Sequence, residues 1–355
     1  MKEPSRHKYS RVSLGTLLVV LVIGGLGALL NPALLASPRA ALADGSWSSG
    51  YQEAFTEGLY LLAPARAFWN GVDLALFGQG PAGVLTGGDG WLFTEEEYAS
   101  ASEPEAAQSA WLQEIAAVDA ELGAAGVSLI VALVPSKAAS LSGNAPPLPP
   151  AKAASYETLL QELSWLGITA VDLRGPLGSE EAWLRTDTHW TPRGAEAAAV
   201  HVAGVVREAF PGLSGTLEHE ISETAEVKHE GDLARLLALG ALTGRLGYPT
   251  ELITTQRIMP AGSPEGGLFD EVIVPAVLVG TSYSAGEAWS LADRLRLALA
   301  ADVLDASASG LGPLEPMRTY LASEAFVSGP PQVVIWEVPV RYLTRRDFLP
   351  GGAGS

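Results

Sequence analysis

Short apolar runs alternate with amphipathic stretches along most of this chain. Residues 127–134 (VSLIVALV), 272–279 (VIVPAVLV) and 333–338 (VVIWEV) are nearly continuous in hydrophobicity. That pattern predicts strands buried on both faces of a sheet. Residues 168–173 and 303–306 read as two further strands. Between them lie segments with apolar residues at helical spacing, at 103–126, 156–166, 191–210 and 286–300. Thr191 is placed to cap the third of these, with Pro192 at its first position. Gly87-Gly88-Asp89-Gly90 before Trp91-Leu92-Phe93 predicts a hairpin turn feeding a strand. NAPPLPP at 144–150 predicts a loop, and Pro275 a bulge or an unpaired position. Residues 46–77 read as a largely helical stem, and 213–270 show no clear period. Strands alternating with helices predict an α/β fold, with a mostly parallel sheet covered on both faces.

The N-terminus carries a different pattern. Residues 12–30 are a 19-residue stretch without a charge, long enough as a helix to span roughly 28 Å at ~1.5 Å per residue. Lys2, Arg6, Lys8 and Arg11 precede it, which predicts a cytoplasmic start and an exported body. An uncleaved membrane anchor and a cleaved signal peptide both fit, and Ala41-Leu42-Ala43 offers a small-x-small cleavage pattern for the second. The expected organisation is a basic tail and signal anchor at 1–43, a helical stem at 44–80, one α/β domain at 81–345 and a tail at 346–355.

Composition narrows the class. With no cysteine among 355 residues, disulfides, thiolate metal sites and a cysteine nucleophile are excluded. The net charge is 22 − 40 = −18, which argues against a nucleic-acid partner. Residues 1–43 hold five Lys and Arg against Glu3 alone, so the rest of the chain carries −18 − 4 = −22.

Three segments are candidates for chemistry. In RTDTHWTP at 185–192, Asp187 and His189 are two apart. An extended backbone would project both to one side, where a carboxylate can fix the tautomer of an imidazole. In GTSYS at 280–284, Ser282 sits on a turn between a strand and a helix. Such a turn presents a hydroxyl at the carboxyl edge of the sheet, with helix N–H groups behind it. An ordinary serine N-cap is the plainer alternative. In VPSK at 134–137, Lys137 also follows a strand and is a candidate for holding an anionic group. Open α/β sheets bind ligands at that edge. Trp190 and Tyr283 are candidate stacking surfaces for a sugar, and Arg185 and Arg193 flank the Asp-x-His pair. His219 and His229 lie in the aperiodic region near several glutamates, without the tight spacing of a metal motif. No metal and no cofactor is expected.

GWLF at 90–93, VPSK at 134–137, DTHWTPRGA at 187–195 and GTSYS at 280–284 occur in this order. Together they resemble the AlgJ/AlgX family of SGNH-hydrolase-like proteins of polysaccharide O-acetylation, over roughly residues 50–345. Gly231-Asp232-Leu233 and IWEVPVR at 335–341 extend the likeness. The resemblance implies a three-layer, circularly permuted SGNH-like fold and a triad of Ser282, His189 and Asp187. It implies an AlgJ-type architecture, since only 14 residues follow Arg341 and AlgX-like members carry a further C-terminal carbohydrate-binding module. It also implies a polysaccharide acceptor, and a multi-pass membrane acyltransferase partner as acetyl donor. The expected protein is a periplasmic O-acetyltransferase on a single inner-membrane anchor. A carbohydrate acetyl-esterase with the same triad and a non-catalytic envelope scaffold remain alternatives.

Overall fold

The computed structural model describes residues 62–215, 217–261 and 274–350. The expected membrane segment at 12–30 lies outside them, and among the described residues no helix is long and apolar enough to cross a membrane. The chain divides into two compact units. The described part of the smaller one is helix α1, Leu62–Phe77, with residues 237–246. Within it the Asn70 side-chain amide donates to the Leu237 carbonyl at 2.8 Å. The stem therefore recruits a segment from the middle of the chain, which no local pattern signals.

The larger unit is the α/β body. In chain order it holds β1 (Val84–Thr86), β2 (Leu92–Thr94), α2 (Pro104–Ala124), β3 (Ser128–Val134), α3 (Lys137–Ser140), α4 (Pro150–Trp165), β4 (Thr169–Asp172) and α5 (Pro192–Ala209). There follow β5 (His219–His229), α6 (Asp232–Leu236), β6 (Glu251–Pro260), β7 (Ala276–Val279) and α7 (Ser282–Ala285). Last come α8 (Leu291–Leu299), β8 (Val303–Asp305), α9 (Leu314–Leu321), α10 (Glu324–Ser328) and β9 (Val333–Pro339). The central sheet has the order β4-β3-β9-β7-β8, and each of its pairings is parallel. The last strand is thus inserted between β3 and β7. It brings its carboxyl end beside the turns that follow both.

Period-two alternation sends the strands' side chains into two cores. Ile130, Ala132, Leu278 and Ile335 pack with Ala195, Val202 and Val206 of α5 and Leu295 of α8. Leu129, Val131, Val277 and Trp336 pack on the other face with Trp111 and Ile115 of α2 and Leu159 and Leu163 of α4. This is the three-layer arrangement expected of buried parallel strands.

Three local expectations change. Helix α4 begins at Pro150 and not near 156, because proline is well suited to the first turn, where no N–H is needed. Of the strand expected over 272–279, residues 272–273 lie outside the described ones, and the described part is a strand from Ala276; Pro275 before it has no N–H to give a ladder but accepts from Gln332 through its carbonyl at 2.9 Å. The helix expected over 286–300 begins only at Leu291, as α8, with Ser290 in the left-handed region at φ 43° just before it; the short α7 ends at Ala285, ahead of the expected range. The aperiodic region holds a two-stranded antiparallel ribbon of β5 and β6 that pairs His229 with Glu251 at its base. Most β5 side chains are exposed on both faces, so no alternation marks the strand in the sequence.

Candidate active site

The first part of the site is the turn after β7. Glu337, fully buried near the end of β9, lies beneath it. One Glu337 oxygen accepts the Thr281 N–H at 2.7 Å, the Thr281 hydroxyl at 3.0 Å and the Ser284 hydroxyl at 3.0 Å. Gly280 leaves no room for a side chain: a Cβ there would stand 2.4 Å from Ser284 Oγ and 2.6 Å from Glu337 Oε2. Thr281 caps α7 by accepting the Tyr283 N–H at 3.3 Å. Ser284 is therefore tied inward. Ser282 is left to point its hydroxyl at His189. Burial pushes the Glu337 carboxyl above its ordinary range, despite these bonds and the charge of Arg341. The charged residue inside the apolar run VVIWEV was the available sequence signal for this role.

The second part is the loop before α5. His189 Nδ1 lies 2.7 Å from Asp187 Oδ1, and His189 Nε2 lies 2.8 Å from Ser282 Oγ. A carboxylate accepts only, so Nδ1 carries the proton and Nε2 is the bare acceptor facing the serine hydroxyl. The backbone is not extended here. Asp187 Oδ1 also accepts the His189 N–H at 2.9 Å, a local turn that fixes the pair more tightly than strand geometry would. Asp187 Oδ2 accepts the Asp232 N–H at 2.9 Å and His229 Nε2 at 2.8 Å. Burial alone would raise the Asp187 carboxyl, but the bonds from His189 and His229, the charge of His189 and the Asp232 N–H hold it well below the usual carboxylate range. Asp187, His189 and Asp232 each offer a ligand atom within 4.8 Å of the others. Asp187 and His189 are bonded to each other as described; Asp232 Oδ1 accepts the N–H groups of Thr188 and Leu233, each at 2.7 Å, and its Oδ2 lies 3.9 Å from His189 Nδ1. A cation would have to displace the bonds that orient His189.

His229 and Glu251, at the base of the ribbon, are the contributors that local sequence patterns do not reveal. Glu251 accepts the N–H groups of Arg185 and Thr186, both at 2.9 Å, and so clamps the loop before Asp187. Gly231 lets the chain pass close to that loop; a Cβ there would stand 2.0 Å from the Thr186 carbonyl oxygen.

The other candidates fall away from the substrate side. Lys137 is 1 % exposed, and its ammonium donates to the carbonyls of Leu92 at 2.7 Å and Asp187 at 2.8 Å. It fastens the Asp187 loop and is not an anion site. Burial pushes it down to about 8, against the charges of Glu97 and Asp187. Trp190 is wholly buried and Tyr283 nearly so; their rings meet edge-on at 5.1 Å, so neither is a sugar platform. The Tyr283 hydroxyl donates to the Thr188 carbonyl at 2.9 Å, joining the two halves of the site. Trp289 stacks on the His189 ring at 4.7 Å and donates to the Ser282 carbonyl at 3.2 Å. Arg193 is exposed and paired with Glu181 at 2.6 Å. Arg185 is exposed with its guanidinium 5.4 Å from the centre of the Trp91 ring. Each of the three basic residues thus has its own partner: carbonyls for Lys137, Glu181 for Arg193 and the Trp91 ring for Arg185.

A family model described as "SGNH hydrolase-like domain, acetyltransferase AlgX" matches residues 84–340. The chain belongs to the AlgJ/AlgX family. Within that family it is similar to the probable alginate O-acetylase AlgJ of Pseudomonas fluorescens, 34% identical over 314 residues, covering 86% of this chain and 79% of that one. The corresponding protein of Azotobacter vinelandii is 36% identical over 315 residues, covering 84% of this chain and 80% of that one. The solved O-acetyltransferase domain of Pseudomonas putida AlgJ superposes with a TM-score of 0.67 at 33% identity, covering 76% of this chain and 95% of that chain. As a member of the AlgJ/AlgX family the chain is an acetyltransferase-type enzyme, and its α/β body with a parallel sheet is that of its SGNH-like neighbours.

Proposed function

We propose that this protein transfers acetyl groups onto hydroxyls of an exported polysaccharide, by way of an acetyl ester on Ser282. The observation that carries this reading is the unbroken path from Ser282 Oγ through His189 to Asp187, with contacts of 2.8 and 2.7 Å. Ser282 Oγ attacks the carbonyl carbon of an acetyl donor while His189 Nε2 takes its proton. The tetrahedral intermediate collapses, His189 returns the proton to the departing group, and Ser282 is left acetylated. A sugar hydroxyl then attacks the ester, giving its proton to His189, which returns it to Ser282 Oγ as the acetylated sugar leaves. The Ser282 N–H, at the first position of α7, is the donor we assign to the oxyanion. Asp187 stays ionised throughout and stabilises the imidazolium.

The alginate O-acetylases among its relatives favour a polyuronate acceptor. We place the catalytic body in the periplasm on the N-terminal segment as anchor, fed by a multi-pass membrane acyltransferase. The basic N-terminus before the apolar stretch at 12–30 supports that placement. The test is the full chain incubated with an activated acetyl ester and polymannuronate oligosaccharides. Acetyl should appear on the oligosaccharide, and a peptide containing Ser282 should be trapped with one acetyl group. Acetate release at the same rate with and without oligosaccharide, and no acetylated sugar, would instead identify an esterase.

The charge makes a second expectation. Residues 44–355 carry −22, and the candidate basic residues are buried, ion-paired or set over an aromatic ring. A polyanionic acceptor should therefore be repelled at long range. Raising ionic strength from about 10 mM to about 150 mM shortens the screening length from ~30 to ~8 Å. KM for a polyuronate should fall severalfold, while KM for a neutral acetyl donor stays level. A KM for polyuronate that rises with salt would show that attraction dominates.

A further inference from the structure

Asp187 carries two imidazoles, one on each carboxylate oxygen. Only His189 reaches the nucleophile. His229 ends β5, and its side chain is 18% exposed. Its Nε2 faces a carboxylate, so in the neutral ring that nitrogen bears the proton and donates. We infer that His229 is a positioning residue of the acetyl-transfer reaction, holding Asp187 for His189 and sharing its negative charge, so that protons enter the two imidazoles as a coupled pair. The inference rests on the assignment of Ser282 as nucleophile and His189 as its base.

Two physical arguments support it. The first is geometric. The Asp187 side chain is 3% exposed. Without His229, its Oδ2 would keep only the Asp232 N–H, and the carboxylate would lose one of the four bonds that fix its plane against His189. At metal-ligating histidines, loss of an outer hydrogen-bond partner of this kind typically costs about ten- to a hundredfold. The second is electrostatic. One carboxylate neutralises one imidazolium. The groups facing His229 are Asp187, Glu251 across the ribbon, Arg235 on α6 and the edge of Trp289 at 6.2 Å. The bond to Asp187 raises its affinity for a proton against the effect of burial, helped by the charges of Asp187 and Glu251 and opposed by Arg235. A proton on His229 spends the charge of Asp187 that would stabilise His189 as it accepts the serine proton. Acid should therefore slow the reaction in two steps belonging to the pair.

The test is kcat/KM for an acetyl ester between about pH 5 and pH 8, in the full chain, in His229→Gln and in His229→Leu. Glutamine keeps a donor and cannot become cationic. The unsubstituted chain should need two ionisations to describe its acid limb, and His229→Gln only one. His229→Leu should lower the plateau about tenfold by freeing Asp187. If the unsubstituted chain and His229→Gln share the same single-step limb, the inference is overturned. A second measurement does not depend on a variant that folds: in the unsubstituted chain labelled with 15N-histidine, two ring signals should titrate biphasically and together. Independent single steps for every histidine would also overturn it. Ser282→Ala separates the two readings. If it retains full activity the nucleophile is misassigned; if it is inactive while the acid limb stays single-step, only the role of His229 is lost.

Discussion

Ser282→Ala is expected to lower acetyl transfer about ten-thousand-fold, a loss of about 5 kcal/mol of transition-state stabilisation. His189→Ala should fall into the same range, because the serine hydroxyl is a poor nucleophile without a base at 2.8 Å. The double variant should be no worse than either single one, since the two groups act as one unit. Ser284→Ala is the control two residues away. Its hydroxyl is buried and bound to Glu337 at 3.0 Å, so its removal should cost stability and leave the chemistry in place. Initial rates of transfer from a chromogenic acetyl ester to an oligosaccharide, with circular dichroism to confirm folding, decide the matter. Equal rates for Ser282→Ala and the unsubstituted chain would remove the triad. An inactive, folded Ser284→Ala beside an active Ser282→Ala would move the nucleophile along the turn.

The parts of this site that the sequence exposes are those built from local signals. The runs that became β3, β7 and β9 are buried on both faces, and continuous hydrophobicity marks such strands. Thr191 and Pro192 open α5 because a side-chain acceptor and a missing N–H suit the first turn. Asp187 and His189 are neighbours in sequence, and Ser282 follows a strand directly. The hidden parts depend on contacts far along the chain. His229 reaches Asp187 across 42 positions and Glu337 reaches Thr281 across 56. The strand β5 that delivers His229 has no buried position and carries no period, and its partner β6, which delivers Glu251, buries only Ile253 and Ile258, five apart. Lys137 and Trp190 mislead for the opposite reason. Trp190 adjoins His189 and Lys137 follows a core strand at the carboxyl edge of the sheet, yet each is folded inward, the lysine onto carbonyls and the tryptophan against Tyr283. Adjacency in sequence identified the loop correctly but not the direction of its side chains.

Glu337→Ala is the second large effect, and it falls on stability before chemistry. The substitution strips the Thr281 N–H, the Thr281 hydroxyl and the Ser284 hydroxyl of their acceptor inside a closed turn. Leaving such buried donors unpaired costs roughly 3 kcal/mol, and the turn carrying Ser282 should loosen with it. Glu337→Gln preserves the shape and one acceptor oxygen for the turn but cannot ionise, and should cost about 1 kcal/mol. The pH dependence distinguishes this role from simple packing. Burial raises the Glu337 carboxyl in the folded chain, so across the ordinary carboxylate range the native state holds a proton that the unfolded state has released. Stability from this group must then fall as pH rises from the unfolded value through the folded one. Asp187 works in the opposite direction, since its depressed carboxyl loses its contribution as pH falls, but it is present in both chains and cancels in their difference. The stability advantage of the unsubstituted chain over Glu337→Gln, read from urea midpoints, should therefore shrink as pH rises upward from the ordinary glutamate range. An advantage that stays constant or grows with that rise would mean that Glu337 is ionised beneath the nucleophile turn and supports it as a charge, with Arg341 as its counter-ion.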